Sequence, residues 1–269
     1  MWIAQVSDPH LRPEGVLYQS VFDTNAAFAA AVRQLNDLSP QPDLVLLTGD
    51  VVDLGQPEEY ALAREILSAL RAPLLAIPGN HDAREAFRAA FAGQAHLPAD
   101  GPIHFVAADA GPVRVVALDV TVPGRHHGEV TADALAWLDG VLAAEPERPT
   151  VLMMHQPPLA CGVPYLDAYR CRMADGVAPD GLARVVARYP AIERVLCGHV
   201  HRQMQMRFGG TLLVTAPSTA TSIALRPYAD AAPASFAEPP GFLLHHWRPE
   251  GLLTHSLAIG RFPGPYPFA

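Results

Sequence analysis

The chain has 269 residues, half of them apolar, and a formal net charge of −8. That length suffices for one large core, and an acidic balance with few basic runs lacks the electrostatic footprint of a nucleic-acid binder. No apolar run reaches the ~18 residues that a membrane span requires, and the opening MWIAQVSDPH has no basic stretch ahead of an apolar one, so it does not read as a signal peptide. Cys161, Cys171 and Cys197 are too few for a disulfide framework, and the expectation is a soluble, cytoplasmic protein.

In chain order, residues 3–7 read as a strand. Residues 23–38 read as a helix, with Asp23 or Thr24 as its cap and Ala27, Phe28, Ala31, Val32 and Leu35 on one face. The continuous apolar run at 43–48 suits a strand buried on both sides. Pro57, Glu58 and Glu59 open a second helix, since proline fits the first turn and acids complement the dipole there. Residues 73–77 and 113–119 follow as strands, and Thr131 caps a helix striped by Leu135, Leu138 and Leu142. A strand at 150–154, a helix at 180–189 and a strand at 194–197 complete a β-α-β rhythm, which implies an α/β layered fold.

The C-terminal part differs. Residues 204–215 read as a hairpin turning at Gly209-Gly210, and residues 241–259 as another turning at 248–251. Between them, residues 219–240 are rich in Ala and Pro and read as a long surface excursion, a lid or a subunit contact.

Polar residues end the predicted strands: Asp8 and His10, then Asp50, then Asn80 and His81, then His155, then His199 and His201. Ligand crevices of open α/β sheets lie outside the carboxyl ends of the strands, so residues distant in sequence converge on one site. An O/N set this rich in imidazole suits Zn, Mn, Fe or Co rather than Mg or Ca. It has too many ligands for one tetrahedral ion. Two ions roughly 3.5–4 Å apart, sharing a carboxylate, fit better and can clamp a phosphoryl group.

These motifs are Asp8-Pro9-His10, Gly49-Asp50, Gly79-Asn80-His81-Asp82, His155 and Gly198-His199-Val200-His201. In this order they resemble the signature of the calcineurin-like metallophosphoesterases, over about residues 1–202. The run GQPEEY at 55–60 resembles the bacterial class III cyclic-nucleotide phosphodiesterases and the glycerophosphodiesterase of the same group.

The resemblance implies a four-layer αββα sandwich as the catalytic core, 1–202. Residues 203–269 would form a C-terminal hairpin or cap extension that continues the second sheet or serves assembly. It implies two divalent transition-metal ions (Fe, Mn, Zn or Co). Asp8, His10 and His201 would hold one ion, Asn80, His155 and His199 the other, with Asp50 bridging and His81 off the metals near the leaving group. The implied activity is hydrolysis of small phosphodiesters, cyclic nucleotides or glycerophosphodiesters, by a metal-held hydroxide.

A phosphomonoesterase or protein phosphatase is the alternative, for which Arg12 offers the extra cationic contact; a non-catalytic scaffold is less favoured. A nuclease would want a basic groove, so no nucleic-acid polymer and no membrane partner is expected. The apolar run at 243–259 with the tail after it implies a homo-oligomer, a dimer or larger.

Other polar residues are read more plainly. Asp53 and Asp82 are cap or turn formers, and His96, His104, His245, His246 and His255 are packing or surface residues. His126 and His127 hold open a substrate-side role beside a surface one. Arg125, Arg170 and Arg172 lie in loops within possible reach of the site, and Tyr165 and Tyr169 stand where they would wall the pocket. Cys197 is a core residue, and a Cys161–Cys171 disulfide is the lesser alternative to free thiols.

Overall fold

A computed structural model describes residues 1–268. The first half winds β1 (Trp2–Val6), α1 (Thr24–Asp37), β2 (Leu44–Thr48), α2 (Pro57–Leu67), β3 (Leu74–Ile77) and α3 (Arg84–Ala90). The three strands are parallel. The second half runs β4 (Phe105–Ala107), β5 (Arg114–Ala117), β6 (Glu129–Val130), α4 (Ala132–Ala144), β7 (Thr150–Met153), α5 (Pro164–Asp167), β8 (Arg172–Met173), α6 (Gly181–Ala187) and β9 (Ile192–Cys197). Then come β10 (Met204–Phe208), β11 (Thr211–Thr215), β12 (Ser222–Ile223), β13 (Ser235–Phe236), β14 (Gly241–Arg248) and β15 (Gly251–Ala258).

The helices form where capping and periodicity place them. Asp23 accepts from the Ala26 amide at the head of α1, whose buried face is Phe28, Ala31, Val32 and Leu35. Thr131 caps α4 by accepting from Ala134 N at 3.1 Å. The Glu59 carboxylate folds back to the Gln56 amide at 3.1 Å in the first turn of α2.

Two main sheets result, in the orders β15-β14-β1-β2-β3 and β10-β11-β9-β7-β5-β4. Alternation along a strand divides two cores. Along β7 and the residue after it, Val151 and Met153 join a cluster with α1, α2, α3 and the first sheet, while Leu152 and Met154 join a cluster with α4 and α6. The layers are therefore helix, sheet, sheet, helix, as the α/β reading anticipates. A polar strut crosses between the sheets near the site: Gln5 donates to Thr48 Oγ1 at 3.1 Å and to Cys197 O at 2.9 Å. His245, kept neutral by burial with its pKa lowered to about 3, faces Gln5 Oε1 at 3.3 Å.

Both C-terminal hairpins turn where expected, but they part company. The β10–β11 pair extends the second sheet through β9. The β14–β15 pair extends the first sheet instead, with β14 antiparallel to β1. The reason is burial: Gly241 to His245 are buried, and Phe242 and Leu243 belong to the main core, so this strand needs a covered position rather than an edge. β4 was not legible, being three residues between glycine- and proline-containing turns.

Candidate metal centre

The polar residues sit where strands stop. β1 leads to Asp8 and His10, β2 to Asp50, β3 to Asn80 and His81, β7 to His155, and β9 to His199 and His201. The two sheets abut, so these ends meet. Backbone hydrogen bonds lash them together: Asp8 N to Gly49 O and His10 N to Asp50 O, both at 3.1 Å, and Gly198 N to His155 O at 3.0 Å. The chain turns sharply there. Asp8, His10, Asp50, His199 and His201 all have positive φ, between 45° and 70°, the left-handed region that Asp and His tolerate better than most.

Close approach is the second local requirement. A Cβ at Gly79 would collide with Asp50, and one at Gly198 would collide with Ser7 Oγ and lie 2.6 Å from Thr48 O. These glycines let adjacent strand ends touch, rather than making room beside a ligand.

Ring orientation is set from behind. His155 donates from Nδ1 to Thr48 O at 2.7 Å, and His201 from Nδ1 to Thr221 O at 3.1 Å. Each therefore turns its Nε2 inward, the orientation a ligating histidine needs once that nitrogen is unprotonated. The first group comprises Asp8, His10 and His201, with His10 Nε2 and His201 Nε2 3.0 Å apart. The second comprises Asp50, His155 and His199. Asp50 Oδ2 stands between them, 3.2 Å from His155 Nε2 and 3.6 Å from His10 Nε2. Asn80 lines the cavity beside them.

Charge is concentrated and buried. Burial raises the Asp8 carboxyl to about 6 against the pull of His155. Burial acts the same way on Asp50, but the charges on His155 and His81 hold it well below the usual carboxylate range. Burial alone would lower His155, and Asp50 and Asp8 raise it to about 9. Burial and the neighbouring His155 charge lower His199 to about 3. Among the described residues, His199 Nε2 is buried without a hydrogen-bond partner, and His155 Nε2 faces the Asp50 carboxylate. Inward-facing ring nitrogens, the orphaned His199 Nε2 and an ionised carboxylate between the two groups fit divalent cations of the softer N/O-binding kind.

His81 stands apart. Its ring donates from Nδ1 to Asp53 O at 2.7 Å, and its amide donates to Asp50 Oδ1 at 2.8 Å. Burial would lower the imidazole, but Asp50 and Asp53 raise it to about 10. Asp53 is thus more than a turn former: it supports both His81 and Arg12. A further His10–Asp53–His81 grouping is also compact enough for an ion, yet its His81 nitrogen is already committed to the Asp53 carbonyl.

Several expectations are corrected. Arg12 does not face the cavity; its Nη1 donates to Asp53 Oδ2 at 2.8 Å and Glu59 Oε1 at 3.1 Å, so two carboxylates neutralise it. Arg125, Arg170 and Arg172 do not line the cavity; Arg170 and Arg172 donate to the Asp167 and Ala168 carbonyls of their own loop. Of the cap-or-turn expectation for Asp82 the turn holds and the cap does not: Asp82 receives Gly79 N at 2.8 Å, and also Val51 N at 3.0 Å and the Tyr60 hydroxyl at 2.8 Å, joining the β2 and β3 loops. Cys161 and Cys171 are free thiols, the preferred expectation rather than the disulfide alternative. His126, Tyr165 and Tyr169 do line the cavity, and His127 does not.

The cavity measures about 330 Å³. Sequence reasoning missed Tyr18 and Gln19 on one wall and Pro233, Ala234 and Ser235 on another. Tyr18 stacks on His10 with ring centroids 4.9 Å apart. Residues 219–240 carry the β12–β13 ribbon, which walls the cavity through Ile223 and Ser235. No periodic signal marks such loop residues.

Residues 1–203 match the family described as calcineurin-like phosphoesterase. The chain belongs to that family.

This calcineurin-like phosphoesterase is 34% identical over 269 residues to a probable glycerophosphodiester phosphodiesterase of Arcobacter nitrofigilis, covering 100% of this chain and 97% of that protein. It is 31% identical over 220 residues to the 3′,5′-cyclic adenosine monophosphate phosphodiesterase of Escherichia coli strain K12, covering 81% of this chain and 75% of that protein. Among solved structures, GAP50, the anchor in the inner membrane complex of Plasmodium, superposes with a TM-score of 0.61 at 12% identity, covering 97% and 89% of the two chains. That last likeness concerns the fold alone. The family uses divalent metals, and the clusters of this calcineurin-like phosphoesterase are able to hold them.

Proposed function

We propose that this phosphoesterase hydrolyses small phosphodiesters with two divalent transition-metal ions. Asp8, His10 and His201 would hold one, Asn80, His155 and His199 the other, and Asp50 would serve both. When bound, such ions supply positive charge to the phosphoryl oxygens and acidify water. The glycerophosphodiester and cyclic-nucleotide activities named for the relatives support the diester class.

The remaining work falls to the chain. His81 lines the cavity and, with its proton held by Asp50 and Asp53, carries positive charge through neutral pH. It stabilises charge growing on the departing oxygen or hands it a proton. Water contributes its hydroxyl to phosphorus, the P–O bond to one alcohol breaks, and that alcohol leaves with a proton. Tyr165 and Tyr169 offer aromatic faces to the substituent.

The observation that carries the diester reading is the state of Arg12. Among the described residues, no arginine or lysine lines the cavity, and Arg12, two residues past the first motif, is spent on Asp53 and Glu59. Beyond His81, a dianionic monoester finds no arginine or lysine clamp there, and a monoanionic diester needs none. The test compares kcat/KM for bis(4-nitrophenyl) phosphate and 4-nitrophenyl phosphate on enzyme of defined metal content. The diester is expected to win. A monoester preference of tenfold or more, about 1.4 kcal/mol of transition-state binding, would make the protein a phosphatase.

Among the described residues no helix is long and apolar enough to cross a membrane, and the free thiols support a reducing, cytoplasmic setting. The exposed apolar residues Leu253, Phe262 and Tyr266 support assembly into a dimer or larger.

A further inference from the structure

A second cavity lies against the Asn80–His81 corner. It measures about 470 Å³, and Asn80 and His81 line both it and the first cavity. Leu54, Ala83, Val122 and Pro123 form an aliphatic part of the remaining wall, and Asp82, Arg84, Glu85 and Thr121 a polar part. Leu54 is 58% exposed, a large aliphatic side chain held at the surface where no packing requires it.

This wall is braced. Thr121 donates from its amide and hydroxyl to Asp119 Oδ1 at 2.9 and 2.6 Å. Arg84 donates from Nε to Asp119 Oδ2 at 2.7 Å and from Nη2 to Thr121 O at 2.6 Å. Arg125 N closes the turn on Val122 O at 2.9 Å. The same loop then delivers His126 to the first cavity. One rigid loop therefore walls both cavities, and the space is preformed. The Arg84 charge is balanced by buried Asp119, so the cavity is no anion site. Two carboxylates also line it, but Asp82 is taken up by the Gly79 and Val51 amides and the Tyr60 hydroxyl, and Glu85 pairs with Arg88. The aliphatic part of the wall therefore suits an apolar stem and the polar part an uncharged head.

A phosphodiester has two alcohol substituents. In a ring diester both ester oxygens return to one sugar. In an open-chain diester the two arms diverge from phosphorus. His81 stands on the boundary of both cavities, so a phosphoryl group beside it can send one arm to each. We infer that the second cavity seats the second alcohol arm of an open-chain phosphodiester, an uncharged arm with an apolar stem. This rests on the diester reading above.

The test uses the metal-loaded enzyme and two open-chain esters, methyl 4-nitrophenyl phosphate with one bulky arm and 2-phenylethyl 4-nitrophenyl phosphate with two. In the unmodified enzyme the two-armed ester should show a kcat/KM at least tenfold higher. Leu54→Trp, on an exposed side chain, fills the cavity and should bring that ratio to about one. Val122→Trp should do the same from another wall residue. A ratio near one in the unmodified enzyme, or a ratio unchanged in both variants, overturns the inference while leaving diester hydrolysis standing. Failure to cleave either ester overturns the diester reading itself and this inference with it.

Discussion

His81 Nδ1 is committed to the Asp53 carbonyl, and its charge is held by Asp50 and Asp53. Replacing it with alanine removes neither inward-turned ligand ring nor carboxylate. His81→Ala is therefore expected to retain its metal and to lower kcat by roughly 10²–10⁴-fold. The loss should be smaller for nitrophenolate than for an alkoxide leaving group; an equal loss for both would assign His81 to positioning. Asp50→Ala should weaken both ion sites, because its Oδ2 faces His155 and His10 together; elemental analysis finding full double occupancy would remove the bridging role. The pH dependence of loading has a definite sign. His155, raised to about 9 in the metal-free chain, is protonated at neutral pH, whereas His199, lowered to about 3, is already neutral. A ligand must shed its proton to bind metal. Adding Mn²⁺ or Zn²⁺ at pH 7.5 should release about one proton per chain from His155, and affinity should rise with pH up to about 9. Calorimetry in two buffers of different ionisation enthalpy measures this; no buffer dependence would contradict it.

At the scale of elements, the site is a set of tight strand-to-loop turns rather than a property of any one strand. Left-handed backbone at Asp8, His10, Asp50, His199 and His201 costs of order 1–3 kcal/mol each, and the hydrogen bonds between the strand ends offset that strain. Gly198 is the tightest joint. Gly198→Ala pushes a Cβ onto Ser7 Oγ and within 2.8 Å of Asp8 Oδ2, and should destabilise the protein by about 2–3 kcal/mol in chemical denaturation. Gly140, exposed in the middle of α4, meets nothing within 4 Å. Gly140→Ala should stabilise by about 0.5–1 kcal/mol through helix propensity. A similar response of the two would mean that the Gly198 contact is relieved by relaxation. The helix caps at Asp23 and Thr131 and the two hairpin turns were legible because each depends on a few adjacent residues. The partner sheet of β14 was not, because strand pairing joins residues such as Ile3 and His245 across nearly the whole chain.

For the whole molecule, the exposed Phe262 and Tyr266 beyond β15 lead us to expect a dimer or larger by light scattering at micromolar concentration; a monomer mass would end that proposal. The sequence by itself determined the alternation of helix and strand, the family and the identity of the polar residues at strand ends, because each is written in local periodicity or in motif spacing. Only the tertiary structure decided which of the remaining charged and aromatic residues meet the site. Arg12 looked available beside His10 until Asp53 and Glu59 closed on it. Tyr18, Ile223 and Ser235 carried no signal, yet the fold brings them to one cavity. The physical reason is that a local motif fixes what a side chain can do, whereas its charge state, its partners and the space before it depend on segments that only long-range packing brings alongside.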